Sequence, residues 1–215
     1  YIKDGELETA AVMINKSERP FLYVGGGAVI SNASEEVRAL AHKINAPVGD
    51  SLMGKGAFDG RDELYCGMIG MHGTKASNFG VTDCDLLIVI GARFSDRVVG
   101  KVSKFAENAK ILQIDVDPAE VNKNVMVDAS IIGDVKEVLK RLLPKLDENA
   151  HEDWVKHIEE YKNKFPLKYD PAGLTGPYVV KELYRITEGN ALIVTEVGQH
   201  QMWAAQYYKY KEPHQ

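Results

Sequence analysis

The run at residues 85–91 (DLLIVIG) constrains this chain more than any other stretch. Every position between its terminal Asp and Gly is apolar, so both faces of the segment are buried, as in the central strands of parallel sheets. Parallel strands need long crossover connections, which helices ordinarily provide. Helical stripes and β-branched runs do alternate along the chain. Leu7, Ala10, Ala11 and Ile14 recur at i, i+3, i+4 and i+7. Residues 21–24 form a compact apolar strand that runs into Gly25-Gly26-Gly27, and Val37, Leu40, Ala41 and Ile44 then share one helix face. Asn32, three residues before Glu35, reads as a capping box for that helix. Residues 47–52, 111–116 and 129–132 read as further strands, and Val135, Val138, Leu139, Leu142 and Leu143 as a helix ending near Pro144. Glycines at 54, 56 and 60, and again across 67–73 around His72, mark loops. The pattern predicts an α/β fold: an open, doubly wound parallel sheet with helices on both faces.

The composition shifts after residue 147. Residues 146–153 are charged and lack periodicity, as a linker does; Trp154, Val155, Ile158 and Tyr161 give another helical stripe; and Thr175-Gly176-Pro177 opens a further helix, with Pro where its missing N–H costs little. Residues 191–195 read as a strand leading into Val197-Gly198-Gln199-His200-Gln201. The division is therefore 1–147 as one nucleotide-binding domain and 148–215 as a linker with the incomplete start of a second. That second part has no core of its own and is expected to be disordered or packed on a neighbouring copy. Both ends read as internal cuts, the first lacking Met and the last falling where a domain should begin.

Several classes are disfavoured. The net charge of -5, with Lys and Arg scattered, gives no basic stripe for nucleic acid. Cys66 and Cys84 make no CxxC, which argues against a disulfide scaffold or structural zinc site and fits a reducing cytoplasm. No apolar run approaches the roughly 20 residues that span a bilayer.

The candidate chemistry lies at strand ends. Gly25-Gly26-Gly27 is either a backbone approach to a pyrophosphate or a tight turn with positive φ. Gly91-Ala92-Arg93-Phe94-Ser95-Asp96-Arg97 leaves the central strand, and its two arginines either meet phosphate oxygens or form a surface ion-pair cluster with Asp96. Asp115 either accepts ribose hydroxyls or caps the segment starting at Pro118; Asp134 reaches a cofactor or caps its helix. No Ser-His-Asp order, HExxH or Walker motif is present, and no complete catalytic constellation. Convergence of these strand ends on one sheet edge favours a dinucleotide.

Taken together, FLYVGGG, IGMHG, GARFSDR, LQIDVDP and VGQHQMWAA resemble the catalytic subunit of acetolactate synthase (acetohydroxyacid synthase), in order from about Leu7 to Gln206. The resemblance implies the central domain, a Rossmann-like, DHS-type nucleotide-binding unit of about six strands, followed by the start of the thiamine-diphosphate-binding domain. It implies FAD along the carboxyl ends of the sheet, held by Gly25, Gly26 and Gly27, by Ser51, Leu52 and Met53, and by Gly70, Met71 and His72. Gly91, Ala92, Arg93 and Arg97 would hold its middle, and Asp115, Val116, Asp134 and Val135 its adenosine end. Met71 and Asp96 would line the substrate channel, and Gln199 and His200 would lie near thiamine diphosphate. Ser95 departs from the family's usual RFDDR. The rival members are pyruvate oxidase and glyoxylate carboligase, which VGQHQMWAA disfavours; a stand-alone nucleotide-binding module or purely structural domain is the rival of another class.

By the same resemblance the parent enzyme uses FAD, thiamine diphosphate and Mg²⁺. It works as a homo-oligomer, dimer or tetramer, with a possible regulatory small subunit. The activating glutamate and the Mg²⁺-holding segment lie outside these residues. This chain alone is expected to hold FAD weakly or not at all and to form no acetolactate. An assay of the purified 215-residue chain with pyruvate, thiamine diphosphate and Mg²⁺ checks this; any turnover overturns it.

Overall fold

A computed structural model describes residues 2–215. Six parallel strands form one sheet in the order β3-β2-β1-β4-β5-β6. They are β1 (Pro20–Val24), β2 (Val48–Asp50), β3 (Tyr65–Met68), β4 (Leu86–Ile90), β5 (Lys110–Asp115) and β6 (Ala129–Ile132). The helices are α1 (Asp4–Lys16), α2 (Gly26–Ile30), α3 (Ser34–Lys43), α4 (Lys75–Asp83), α5 (Asp96–Val99), α6 (Val135–Leu142), α7 (Glu152–Lys164), α8 (Gly176–Thr187) and α9 (Gln199–Tyr207).

Side chains of a strand alternate between faces, so the apolar strands feed two cores. Leu22, Val24, Ile88, Ile90, Leu112 and Ile114 point to one face, where Leu7 and Ile14 of α1, Val37 and Leu40 of α3, and Val138 and Leu139 of α6 cover them. Phe21, Tyr23, Leu87, Val89 and Ile111 point to the other, against Val81 of α4 and Trp154 and Ile158 of α7. Burying each such side chain contributes about 1.5–3 kcal/mol, which explains why β1 and β4 tolerate no polar position. The chain runs outward from β1 through β2 to β3, then returns to the opposite side of β1 to form β4, β5 and β6. The reversal sits between β1 and β4, where open α/β sheets have their crevice.

Four expectations change. Residues 65–68, which overlap the loop expected at 67–73, form the edge strand β3; its partly exposed positions and Gly67, at φ 101°, break the apolar pattern of a strand. Asn32 makes no capping box: it turns left-handed at φ 52° between α2 and α3, and the cap position falls to Ala33, which has no side-chain acceptor. Residues 191–195 form no strand, because the backbone there has no neighbouring strand to pair with; Val194 is 94% exposed. The stripe after 147 does not stand apart from the sheet. Trp154 is buried and donates its ring N–H to the Pro20 carbonyl at 2.8 Å, and the Tyr161 hydroxyl donates to Asp83 at 2.6 Å, so α7 closes the second face of this chain's own sheet.

Burial also sets the alkaline limit of the fold. It pushes the Cys66 thiol up to about 12 and raises Cys84, Tyr23 and Tyr65 as well. Unfolded, the thiols release protons near their ordinary 9.0 and the phenols near 10.0, while the folded chain retains them. The folded state then binds more protons, and stability, fully present below those values, falls as pH rises through them. Thermal melts between about pH 8 and 12 should show a steadily falling midpoint; a flat profile would contradict the assigned burial.

Candidate functional site

Parallel strands present all their carboxyl ends at one edge, so the loops that follow them form a row in sheet order. The row runs from residues 69–73 after β3, through 51–54 after β2, 25–27 after β1, 91–97 after β4 and 115–117 after β5, to 133–134 after β6. Five strand spacings of about 4.8 Å give the row a length of roughly 24 Å. Gly26, Arg93 and Asp115 thus share one edge, carried by strands aligned as Val24↔Ile90 and Ile90↔Ile114.

The glycines at its centre are required by close approach. Gly25 is extended (φ -118°) and caps α2, and none of Gly25, Gly26 and Gly27 has a positive φ, so the tight-turn explanation does not hold. A Cβ on Gly25 would lie 2.4 Å from the Gly91 carbonyl oxygen, and one on Gly27 would lie 2.7 Å from the Gly91 Cα. Gly91 itself adopts φ 57°. The loops after β1 and β4 are therefore in backbone contact across the crevice. The Gly25 N–H donates to the Ile90 carbonyl and the Gly27 N–H to that of Gly91, at 2.9 and 2.8 Å. Among the described residues the Gly26 N–H is the one donor of the run without a backbone partner.

On either side the row is amphipathic. Ser51 accepts the Gly54 N–H through Oγ at 3.1 Å, closing a 3-10 turn (Leu52–Gly54) that leaves Met53 74% exposed. Met71 is 68% exposed, and its N–H donates to the Arg97 carbonyl at 2.8 Å, which joins the loops after β3 and β4. Val116 adds a third exposed apolar side chain, at 69%. Arg93 is exposed and makes no ion pair among the described residues, whereas Arg97 pairs with Asp96 at 2.8 Å, both in solvent. The surface-pair explanation therefore describes Arg97 and leaves the Arg93 guanidinium free. Asp115 accepts the Asp117 N–H at 3.0 Å. The turn at Pro118 is capped by Asp117, which accepts the Ala119 N–H at 2.9 Å, so Asp115 is not its cap. Asp134 caps α6, accepting the Glu137 N–H at 3.1 Å. The Ala92 and Val135 side chains are buried, so only their backbones face the edge. Gln199 and His200 are exposed in the first turn of α9, outside this row.

Sequence reasoning missed the residues that brace the row. Asn78 of α4 accepts the Gly70 N–H at 2.9 Å and donates to the Gly70 carbonyl at 3.0 Å. Tyr23 donates to the Arg93 carbonyl at 3.3 Å, Asn124 donates to that of Phe94 at 2.8 Å, and Gln206 of α9 donates to that of His72 at 2.8 Å. Asn78 acts eight residues away and the others 30 to 134 away, so no local motif announces them. A recess of about 830 Å³ lies at the opposite edge, lined by Arg19, Asp83, His151, Trp154 and His157 among others. It gathers none of the strand-end loops, and the carboxyl row remains the candidate site.

Replacing Gly25 by Ala puts a methyl group into backbone that cannot yield, at a cost of about 1–3 kcal/mol. Urea denaturation of the Gly25→Ala chain measures it, and unchanged stability would refute the close packing of the two loops.

Comparison with known proteins bears on the same residues. The family model for the central domain of thiamine pyrophosphate enzymes matches residues 7–142. The acetolactate synthase large subunit of Cyanidium caldarium is 45% identical over 216 residues, covering 96% of this chain and 37% of that protein. A probable acetolactate synthase large subunit of Methanocaldococcus jannaschii is 45% identical over 219 residues, covering 97% and 37%. The chloroplastic acetolactate synthase of Arabidopsis thaliana is 43% identical over 221 residues, covering 99% and 33%. The chain spans about a third of the length of the curated relatives it matches.

Proposed function

Because the chain belongs to the thiamine pyrophosphate enzyme family as a central domain, we propose that it is the FAD-holding middle of an acetolactate synthase large subunit. The whole protein would condense two pyruvates, or pyruvate and 2-oxobutyrate, in branched-chain amino acid biosynthesis. One observation carries the FAD reading: the loops after all six strands gather into a single row at the carboxyl edge, centred on the crevice between β1 and β4.

The composition of that row fits a flavin dinucleotide. Arg93 offers a free guanidinium and Gly26 a free N–H to the pyrophosphate, a donor pair suited to phosphate oxygens. Met53 and Met71 offer soft, exposed apolar surface to the flavin side, with Ser51, Leu52, Gly70 and His72 around them. Asp115, Val116, Asp134 and Val135 take the adenosine end, and Gly91, Ala92 and Arg97 the middle. When bound, FAD supplies a redox-capable ring system. This chain's own part is to hold the ring at the edge and to present Met71 and Asp96 toward the substrate channel. Gln199 and His200 would face thiamine diphosphate.

No catalytic residue is assigned to this chain. The carboxylate that activates thiamine diphosphate and the residues that hold its Mg²⁺ belong to the remaining domains, which we take as its first partners. Residues 1–147 form the nucleotide unit in this reading, with α7 added to its sheet, and 148–215 lead into the next domain. The extended, exposed stretch at 191–197 supports this: Leu192, Val194 and Val197 await a sheet. Assembly as a dimer or tetramer, and a regulatory small subunit, are part of the same proposal. So is a cytoplasmic setting, supported by two unpaired, buried cysteines.

The test is flavin binding by the full-length protein. FAD should quench on addition, and Arg93→Ala should weaken its binding by about tenfold, the equivalent of one lost charge-assisted contact. A full-length protein that makes acetolactate without flavin would refute the cofactor assignment.

A further inference from the structure

A buried charged cluster stands directly behind the turn after β2. Asp50 ends β2, and its side chain is 1% exposed. Lys55 follows the 3-10 turn and, at 11% exposure, sets its Nζ 3.0 Å from Asp50 Oδ1. The Lys55 ammonium also donates to the Tyr65 hydroxyl at 2.6 Å, and that hydroxyl donates to Asp50 Oδ2 at 2.9 Å. Tyr65 opens β3, so the three groups close a ring across two strands and the intervening turn.

What this ring encloses is residues 51–54. Their backbone is already held at one end, where Ser51 N–H donates to the Val24 carbonyl at 2.9 Å. At the other end Gly54 is pressed so closely on β1 that a Cβ would lie 2.4 Å from the Val24 oxygen. A buried ion pair is a poor source of stability compared with well-packed apolar side chains, and its best-attested use is to specify one arrangement. Asp50 Oδ1 illustrates the point: it has no hydrogen bond of good geometry, and the ammonium is its compensation. Burial raises the Asp50 carboxyl above the usual range, against the opposing pull of Lys55 and Tyr65. The loop that follows Lys55 touches the end of the chain, since Gly60 N–H donates to the Tyr210 carbonyl at 2.8 Å and Gly56 leaves no room for a side chain beside the Glu212 carbonyl.

We infer that Lys55 is a positioning residue: through Asp50 and Tyr65 it holds the turn at residues 51–54 in the one geometry that presents Met53 at the carboxyl edge. Its consequence for flavin rests on the function proposed above; its effect on the turn does not.

The experiment uses the full-length protein with two variants. Asp50→Asn combined with Lys55→Met removes both charges at similar volume, so no buried charge is stranded. Tyr65→Phe keeps the ion pair and removes the bridging hydroxyl. In the double variant, amide hydrogen exchange at Gly54 and Ala57 should quicken by about tenfold or more, the scale of a lost charged hydrogen bond, while the Gly91 and Lys110 amides stay unchanged. Tyr65→Phe should give a smaller change at the same amides. The FAD dissociation constant should rise by about tenfold in the double variant, with the melting midpoint little altered. Unchanged exchange at Gly54 and Ala57 in both variants overturns the inference, as does faster exchange spread evenly over the sheet. Should the unaltered protein bind no flavin, the functional proposal fails, and the exchange data still decide the role of Lys55.

Discussion

The contact between the loops after β1 and β4 is the constraint on which the rest of this structure depends. Two adjacent parallel strands emerge side by side, and the chain leaves them toward opposite halves of the sheet. Their loops must pass each other within backbone distance, and Gly25, Gly27 and Gly91 are what let them. A larger residue at any of the three would force the strands apart or tilt α2 off the sheet, and the row of loops would lose its centre. The glycines of the crevice first have to admit the chain to itself, whatever else the proposed site holds.

From that centre outward, the row is organised by what is absent from it. The bodies of β1 and β4 are apolar on both faces and fully buried, so polar chemistry at the centre of the sheet is confined to their ends. The side chains that brace those ends, Tyr23, Asn78, Asn124 and Gln206, bind backbone carbonyls or N–H groups and leave Met53, Met71, Arg93 and Val116 free. Exposed methionines and an unpaired guanidinium along one edge are the features on which the cofactor proposal rests. The stretch at 191–197 is likewise exposed, in a chain that spans about a third of the length of the relatives it matches.

Legibility in the sequence followed burial. Strands β1 and β4, buried on both faces, could be read from composition alone, and α1, α3 and α6 from the spacing of residues such as Leu7, Ile14, Val37 and Val138, because a buried face imposes its period on the chain. The edge strand β3 could not, since its four residues are too few and too mixed, with Gly67 at φ 101°, to show an apolar alternation. Asn32 misled for a related reason. The side chain suits a cap, but the left-handed turn that α2 and α3 require takes that residue for another purpose. The strand-end loops could be picked out as candidates because Gly, Arg and Asp cluster at strand termini, while braces such as Asn124 and Gln206 were invisible because they act across 30 and 134 positions of sequence.

What the sequence by itself determined was the kind of sheet, the faces of its first helices and the identity of the loops that would share an edge; these follow from local periodicity and from the rule that parallel strands end together. Only the tertiary structure decided that α7 belongs to this sheet, that Arg97 is spent on Asp96 while Arg93 is not, and that Asp50, Lys55 and Tyr65 meet behind one turn. Each of those depends on which groups are left without a partner after the chain has packed. That is settled by how the whole chain packs, even for groups as near in sequence as Asp96 and Arg97 or Asp50 and Lys55.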